Sequence, residues 1–507
     1  MLNATPILRA YSKIRLAKIN KACPKITQQR QLLELISLAK DTKFGKKHNF
    51  ASIRSISEYQ KNVPLRTYEQ FWNEELKEHF PVLNDITWPG TIPFFAVSSG
   101  TSSGKTKYIP VSHEMVKSNT KAGTDLLIHH LNNRPNSQIM GGRSFMLGGS
   151  TDLVEAAPGI FSGDLSGIAA KTLPWWAKQR FFPPAEMALI KDWEEKIERF
   201  CQESLKTDIR MFGGVPSWML IFLKRMWDIK PEATGTIHKV FNNLELLVHG
   251  GVNFAPYFKQ FSEILNGSHA ELREVYPASE GFIAVADRGY GDGLRLILDH
   301  GIFFEFIPLE QLGSSNPNRY WIGDVEVGKT YAIALTTCAG LWSYVIGDTV
   351  TFVDRNTPRI LVSGRTSYFL SAFGEHLVGD EIEKSVSLAA QEISRSVTDF
   401  SVGALYPANV NELGGHLFIV EFEGGKPSED EIQKFATKID HTLCGLNDDY
   451  EAHRASGFGL NPPKVRVVQS GTFAAWMKSR GKLGGQNKVP RIINDRDLFD
   501  NLKNFTE

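Results

Sequence analysis

The sequence predicts an α/β protein with more than one domain. Its 507 residues exceed the roughly 100–200 residues of a typical domain, and 42% of them are hydrophobic, including 32 phenylalanines. Residues 1–90 have mostly helical patterns, whereas β-rich runs such as residues 331–353 alternate with helices further along. Residues 400–507 mix helical and strand patterns. We therefore expect a large N-terminal domain of mixed β-sheets flanked by helices and a smaller α+β C-terminal domain.

The charge and cysteine content exclude several classes of partner. Lys and Arg total 57 against 56 Asp and Glu, so no net field attracts nucleic acid or an anionic membrane. No apolar run reaches the roughly 18 residues that a membrane span needs. The four cysteines are far apart and form no CxxC pair, which favours reduced thiols over disulfides or a zinc site. We expect a cytoplasmic protein with no membrane or nucleic-acid partner.

The chain begins with a cationic segment. Helical spacing of Ile7, Tyr11 and Ile14 predicts an amphipathic helix that docks on the body through this stripe. An organelle-targeting segment is the alternative, because basic residues but no acidic residue precede Glu34.

Further elements follow from periodicity and capping residues. Helices are predicted over residues 28–39, 112–131, 192–205, 378–393 and 428–443. Ser112 is a good N-cap for the second of these, and Ser428 with Glu431 forms a capping box for the last. Strands are predicted over residues 143–150, 245–248, 282–285, 331–353, 403–406, 416–422 and 464–468.

The chain is organised around residues 92–112, where two β-rich runs flank a loop of small, hydroxyl-bearing and cationic residues. Gly100 and Gly104 allow a close backbone approach to a ligand, and Lys105 and Lys107 add positive charge. This composition suits polyphosphate. A solvent-exposed hairpin turn is the alternative, because such turns use the same residues.

Two known loop motifs fit poorly. A Walker A loop needs four residues between its first glycine and the Gly-Lys pair, but only three separate Gly100 from Gly104. Residues 100–104 match the nucleophile elbow G-x-S-x-G, with Ser102 as the serine. Both motifs require a helix directly after the loop, whereas residues 107–111 are extended in character and contain Pro110.

Three further segments carry candidate site residues. Residues 275–281 place Glu280 in a small-residue turn before a strand, and residues 341–350 place Asp348 directly after a glycine. Residues 481–491 form a glycine-rich segment in which Lys488 precedes Val-Pro-Arg. Taken singly, a carboxylate in such a turn and a lysine in such a flexible segment are more often solvated than functional. His249, at a strand end beside two glycines, is either a packing partner or a ligand contact.

Together these segments resemble, in order, the signatures of the auxin-responsive acyl-acid amido synthetases, a branch of the adenylate-forming superfamily. Residues 98–107 resemble Ser-Ser-Gly-Thr-Ser-x-Gly-x-x-Lys, and residues 276–280 resemble tyrosine, small residues, Ser-Glu. Residues 344–348 resemble Tyr-Arg-x-Gly-Asp, and residues 486–491 resemble Gln-x-Lys-x-Pro-Arg. Ser343 and Val345 stand where the family has arginines, so the chain departs from the plant pattern there. The resemblance covers essentially the whole chain.

The resemblance implies a ligase that uses ATP and Mg²⁺ to convert a carboxylic acid to an acyl-adenylate and then passes the acyl group to an amino acid. It implies phosphate contacts from the loop residues Ser98, Ser99, Gly100, Thr101, Ser102, Ser103 and Gly104, with Lys107 as a catalytic cation. Tyr276 and Ser279 are implied at the nucleotide, Glu280 at Mg²⁺ and Asp348 at the ribose. Lys488 is implied as the catalytic lysine.

The resemblance also implies a large domain over residues 1–364 and a mobile lid over residues 365–507, with Arg365 at the hinge and in contact with the nucleotide. Three alternatives remain open. In the first, the acceptor of the acyl group is a thiol such as coenzyme A. In the second, the protein is a serine hydrolase that uses Ser102, and in the third it is a non-catalytic relative that binds nucleotide or acid. Aromatic content in residues 175–182 and 215–218 hints at an aromatic or medium-chain acid.

Overall fold

The structure is a computed structural model of the 507-residue chain. It describes residues 2–99, 106–148, 152–184, 187, 190, 193–251, 254–312, 314, 316–366, 369–370, 377–406, 413–447, 450–451, 454, 460–482 and 488–507. The described chain divides into two compact units, the first ending at Val362 and the second beginning at Ser363. The boundary between residues 364 and 365 stays a prediction.

The helices of the first unit are α1 (Thr5–Lys21), α2 (Pro24–Ala39), α3 (Lys43–Lys47), α4 (Ile56–Asn62), α5 (Tyr68–Phe71), α6 (His113–Asn133), α7 (Leu165–Thr172), α8 (Trp175–Lys178), α9 (Trp193–Ser204), α10 (Pro216–Ile229) and α11 (Ala255–Ile264). Those of the second unit are α12 (Gly379–Glu392), α13 (Glu429–Leu446), α14 (Thr472–Ser479) and α15 (Arg496–Phe505).

The strands up to residue 365 are β1 (Phe94–Ser99), β2 (Thr106–Val111), β3 (Arg143–Leu147), β4 (Leu153–Ala157), β5 (Ile160–Gly163), β6 (Phe181–Phe182), β7 (Ile209–Gly214), β8 (Leu246–Gly250), β9 (Glu271–Ala278), β10 (Gly281–Val285), β11 (Leu294–Leu296), β12 (Ile302–Pro308), β13 (Tyr320–Trp321), β14 (Thr330–Thr337), β15 (Tyr344–Asp354) and β16 (Arg359–Arg365). The remaining described strands are β17 (Phe369–Leu370), β18 (Leu377–Val378), β19 (Val397–Leu405), β20 (Gly415–Phe422), β21 (Lys464–Val468) and β22 (Ile492–Ile493).

Two sheets build the first unit. A small sheet has the order β2-β1-β5-β4, and a large one has the order β13-β12-β14-β15-β16-β11-β10-β9-β8-β7-β3-β6. In the large sheet, β12 pairs antiparallel with β14, and β10 pairs antiparallel with both β9 and β11. Each of the strands β6, β3, β7, β8 and β9 pairs parallel with the next in that order. Apolar clusters fill its faces, as expected for a sheet covered by helices. The mixed α/β fold predicted for the N-terminal part is therefore confirmed.

The second unit is α+β, also as predicted. Its four-stranded sheet has the order β21-β20-β19-β22, with β19 and β20 antiparallel and both edge strands parallel to their neighbours. Helices α12 and α13 cover one apolar cluster and α14 and α15 another. The predicted capping box of α13 is present, because Ser428 and Glu431 each bond to the other's backbone N–H.

Helix α1 forms where expected, but the prediction of its docking face was wrong. Ile7 and Ile14 are 76% and 72% exposed, and Tyr11 is also exposed. The buried side of the helix instead carries Thr5, Ser12 and Arg15. Arg15 makes the decisive contacts, with ion pairs of 2.7 Å to both Asp125 and Asp299. A buried charge needs such partners, and these carboxylates, distant in sequence, turn the polar face inward.

Within the described part of the chain, none of the helices combines the length and apolar character needed to cross a membrane.

Candidate active site

The predicted loop joins the two strands of a β-hairpin. Strands β1 and β2 pair antiparallel, with Ser98 opposite Lys107 and Ser99 opposite Thr106. Helix α6 begins only at His113, after the strand, and Ser112 caps it by accepting from the Met115 N–H. The strand–loop–strand context is thus confirmed, and the helix that a Walker A loop or a nucleophile elbow requires is not adjacent to the loop.

Most of the loop itself lies outside the described residues. This applies to the predicted phosphate contacts Gly100, Thr101, Ser102, Ser103 and Gly104, and to the side chains of Ser98 and Ser99. Their assignment to phosphates stays a prediction.

Lys107 is the second residue of β2, at the loop end of this hairpin, and it lies against an aromatic ring. Its Nζ is 5.3 Å from the centroid of the Tyr68 ring, a cation–π distance. The Tyr68 hydroxyl accepts from the Tyr108 N–H at 2.9 Å, and burial raises the pKa of Tyr68 to about 12. The Tyr68 and Tyr108 rings both stack on Trp72. These contacts hold a positive charge beside the loop, where an anionic group of a ligand would be attracted.

Tyr276 and Asp348 meet directly, although 72 residues separate them in sequence. The Tyr276 hydroxyl donates to Asp348 Oδ2 at 2.5 Å. Tyr276 is buried on β9, and Asp348 is half-buried on β15. Gly347, just before Asp348, has φ of 90°, a left-handed conformation that favours glycine. The structure therefore brings together two residues that the resemblance implies at the nucleotide, of which Asp348 is implied at its ribose.

Ser279 and Glu280 form the tight turn between β9 and β10, directly after Ala278, which pairs with Gly281. Glu280 is half-buried and lies near Tyr344, whose pKa is raised well above its ordinary value by burial and by the charge of Glu280. The Tyr344 hydroxyl is buried and has no hydrogen bond of ordinary geometry within the described residues. Sequence reasoning missed Tyr344, although it is the tyrosine of the Tyr-x-x-Gly-Asp segment.

The described residues contain no cluster of three or more His, Cys, Asp or Glu side chains that would hold a metal ion. A single carboxylate in a turn fits Mg²⁺, which takes one or two carboxylates from proteins and completes its shell with substrate phosphates and water. Glu280 meets that requirement.

Ser343, which replaces a family arginine, belongs to a buried ionic network. Its hydroxyl donates to Glu305 Oε2 at 2.7 Å and accepts from Arg319 Nη2 at 2.6 Å. Arg319 and Glu305 form an ion pair of 2.8 Å. The Val345 N–H donates to the backbone carbonyl of Arg66 at 2.9 Å. Arg319 therefore brings a guanidinium to this position from the segment just before β13, and the Glu305 carboxylate neutralises it.

Lys488 belongs to the second unit, where its side chain is exposed. It follows residues 483–487, which lie outside the described part. Arg365 ends strand β16, and the description of the structure does not extend to its side chain. The roles of Lys488 at the reacting oxygen and of Arg365 at the hinge stay predictions.

His249 and Glu274 line a small cavity that the sequence did not indicate. Its volume of about 10 Å³ suits roughly one water molecule. His249 is 1% exposed, stacks on Phe254 at 3.6 Å, and its Nδ1 has no hydrogen-bond partner among the described residues. Burial lowers the pKa of His249 to about 3 and raises the pKa of Glu274 to about 7. Stacking in the core supports the packing interpretation of His249.

The raised pKa of Glu274 gives a testable pH dependence. A carboxyl whose folded pKa exceeds its unfolded value of about 4.3 contributes stability below that value, and loses it as pH rises to about 7. The side chain of Glu274→Gln stays neutral at every pH. We therefore expect the free energy of unfolding of this variant, relative to that of the wild type, to rise by about 1–3 kcal/mol between pH 4 and pH 8. Thermal unfolding across this range measures the difference. The exposed Glu310→Gln is the control, and a pH-independent difference for Glu274→Gln contradicts the expectation.

Three family models match the chain in order. They describe the GH3 family N-terminal domain over residues 15–270, the central domain over residues 295–365 and the C-terminal domain over residues 380–497.

Individual relatives of this chain also carry the name GH3. The indole-3-acetic acid-amido synthetase GH3.4 of Arabidopsis thaliana is 24% identical over 93% of this chain and 89% of its own length. The 4-substituted benzoates-glutamate ligase GH3.12 of the same plant is 29% identical, over 38% of this chain and 35% of its own. Among solved structures, that of AtGH3.15 acyl acid amido synthetase in complex with 2,4-DB shares the fold, with a TM-score of 0.81. The match has 18% identity and covers 98% of this chain and 96% of that one.

Proposed function

This chain belongs to the GH3 family, whose N-terminal domain model alone matches more than half of it, and we propose that it is an ATP-dependent acyl-acid amido synthetase. The name of one relative describes an amido synthetase that acts on indole-3-acetic acid. The name of another describes a ligase that joins 4-substituted benzoates to glutamate. The match with the amido synthetase of Arabidopsis thaliana along 93% of this chain supports the same reaction type here.

The reaction has two steps. In the first, a carboxylate oxygen of the acid bonds to the α-phosphorus of ATP, the bond from that phosphorus to the bridging oxygen breaks, and pyrophosphate leaves. In the second, the amine nitrogen of an amino acid bonds to the acyl carbon, the bond from that carbon to the AMP oxygen breaks, and the nitrogen loses a proton. The enzyme aligns the reacting groups and neutralises the charge that builds up.

The Tyr276–Asp348 hydrogen bond is the structural observation that carries the assignment of the nucleotide site. A carboxylate has two acceptor oxygens, so Asp348 accepts from Tyr276 and retains capacity for ribose hydroxyls. Its hydroxyl then fixes Tyr276 beside the carboxylate assigned to the ribose, and Tyr276 is assigned to the adenine. Ser279 in the neighbouring turn contributes a further nucleotide contact.

The hairpin loop of residues 98–104 binds the β- and γ-phosphates through backbone N–H groups and hydroxyls. Lys107, held against Tyr68, adds positive charge at the base of that loop. Glu280 holds Mg²⁺, which neutralises phosphate charge when it is bound. Tyr344 lies beside Glu280 in the same unit.

The second unit contributes Lys488, which stabilises the oxygen that joins the acyl group to phosphorus in the transition state. Arg365 marks the hinge of residues 365–507, and it contacts the nucleotide when this lid is closed. Removal of Lys488 by lid movement then opens the site to the amino acid. The setting is cytoplasmic, which the four unpaired cysteines support.

The substrate class is a small carboxylic acid, with an amino acid as acceptor. The acids in the names of the two relatives, indole-3-acetic acid and 4-substituted benzoates, are aromatic. The aromatic residues of the segments 175–182 and 215–218 support an aromatic acid here as well.

Product analysis tests the proposal. The full-length protein is incubated with ATP, Mg²⁺, one acid from an aromatic, indolic and aliphatic panel, and a mixture of the twenty amino acids. We expect mass spectrometry to find an acid–amino acid amide, with AMP and pyrophosphate formed in equal amounts. The variant Lys478→Ala, which changes an exposed lysine, is prepared in the same way and serves as the control.

Other products distinguish the alternatives. A thioester that forms only with added coenzyme A reassigns the acceptor. Covalent labelling of Ser102 by a fluorophosphonate, with ATP-independent hydrolysis, replaces the proposal with a serine hydrolase. Binding of ATP or acid without any product makes the chain a non-catalytic relative.

A further inference from the structure

Lys488 is exposed, yet the residue that follows it is packed into the second unit. Val489 lies against an apolar cluster built from β20, α14 and α15, whose fully buried members include Ile419, Trp476 and Leu502. The chain therefore passes from a solvent-exposed cation to a core contact within one residue. Such a contact limits the freedom of the Lys488 backbone from its C-terminal side.

The next two residues are tied to strand β19 through their backbones. The Ser401 hydroxyl donates to the Pro490 carbonyl at 2.7 Å, and the Val402 N–H donates to the Arg491 carbonyl at 2.7 Å. Strand β22 then continues parallel to β19, with Ile492 opposite Val402. Pro490 adds rigidity, because its ring fixes φ.

The Arg491 side chain completes this attachment. Its guanidinium forms an ion pair with Asp399, and Nη1 donates to the Phe400 carbonyl at 3.1 Å. The same guanidinium lies 4.7 Å from the centroid of the Phe400 ring. Three contacts to consecutive residues of β19 therefore fix a guanidinium whose α-carbon is only three residues from that of Lys488. Arginine suits this task because its planar fork makes several directed contacts at once.

We propose that Asp399 and Arg491 act as positioning residues, a clamp that holds the segment bearing Lys488 in its working geometry. The inference rests on the proposed function, which gives Lys488 its place at the reacting oxygen. A cation improves the transition state only when it is well placed, and misplacement by about 1 Å can cost 10²-fold in rate. Because Lys488 lies only three residues before Arg491, a shift of the Arg491 side chain or backbone also shifts Lys488.

The first measurement is acid-dependent ATP–pyrophosphate exchange by the full-length protein. We expect Arg491→Ala to lower kcat about 10- to 30-fold. The KM for ATP should stay within about twofold, because neither clamp residue is placed at the nucleotide. Arg491→Lys, which restores the charge without the fork, should recover part of the loss. Asp399→Asn, which keeps the shape of the side chain, tests the other partner and replaces Arg491→Ala should that variant fail to fold.

A double-mutant cycle separates positioning from general damage. In a Lys488→Ala background the clamp has no catalytic lysine to place, so Arg491→Ala should change exchange by less than about twofold. An equal loss in both backgrounds overturns the proposal. Arg454→Ala is the matched control, because it removes an ion pair of 2.7 Å to Asp440 in the same unit, away from Lys488 in sequence. A loss in Arg454→Ala as large as that in Arg491→Ala also overturns the proposal.

Limited trypsin digestion tests the clamp without relying on activity. The Lys488–Val489 bond should be protected from trypsin while Val489 is packed. The measured quantity is the initial rate of cleavage after Lys488 divided by the initial rate of cleavage after Lys482. We expect Arg491→Ala to raise this ratio at least about 10-fold, and Arg454→Ala to leave it unchanged. An unchanged ratio in Arg491→Ala contradicts the clamp even if the wild type shows no exchange. A raised ratio in a protein without exchange supports the clamp and rejects the proposed function instead.

Discussion

Lys488→Ala is expected to lower acid-dependent ATP–pyrophosphate exchange by at least about 10²-fold, in line with the loss of one transition-state charge contact. The lysine meets the negative charge that develops on the oxygen between acyl group and phosphorus, so it stabilises the transition state more than the bound substrates. Its removal should reduce kcat and kcat/KM together and leave ATP binding within about threefold. Isotope exchange kinetics and equilibrium ATP binding measure the two quantities.

The control for this variant is Lys478→Ala, which removes an exposed lysine from the last turn of α14 in the same unit. That change should leave exchange unaltered, since ordinary surface substitutions have small effects. Near-normal exchange in Lys488→Ala would remove this residue from the mechanism. A fall in ATP affinity as large as the fall in rate would make it a binding residue rather than a transition-state contact.

Asp348→Ala is expected to raise the KM for ATP about 10- to 100-fold, because hydrogen bonds to a charged group are worth about 1.5–3 kcal/mol. The change removes the acceptor of the ribose hydroxyls and also removes the hydrogen bond that the buried Tyr276 hydroxyl donates to Asp348. The KM for the carboxylic acid should change little, since Asp348 is assigned to the nucleotide alone. Initial-rate kinetics with each substrate varied in turn separate the two constants.

Tyr276→Phe refines the same prediction. It removes the hydroxyl that donates to Asp348 but keeps a ring for the base, so the KM for ATP should rise only about 3- to 10-fold. Asp324→Ala, a change of an exposed carboxylate in the same unit, is the control. A KM for ATP that is unchanged in Asp348→Ala, or a rise confined to the KM for the acid, contradicts the nucleotide assignment.

Features set by neighbouring residues were predictable from the sequence. Ser112 and Ser428 cap helices as expected, because capping depends on side chains within one turn. The hairpin around the loop followed from extended character on both sides and from Pro110. The same local character made the absence of an adjacent helix predictable.

Features set by distant partners were not predictable. The docking face of α1 depends on the ion pairs of Arg15 with Asp125 and Asp299, and apolar periodicity gave no sign of them. The contact of Tyr276 with Asp348 joins β9 and β15, which are not neighbours in the sheet because β10, β11 and β16 lie between them. Motif positions therefore indicated candidate residues, whereas strand order decided which of them meet.

The most direct test of the central claim is ATP–pyrophosphate exchange by the wild-type protein with Mg²⁺ across a panel of aromatic, indolic and aliphatic acids. Formation of an acyl-adenylate is reversible, so an enzyme of this type returns labelled pyrophosphate to ATP only when its acid is present. We predict exchange that depends on one class of acid and that is lost in Lys488→Ala. Binding of ATP with no exchange for any acid, or no binding of ATP at all, would contradict the account.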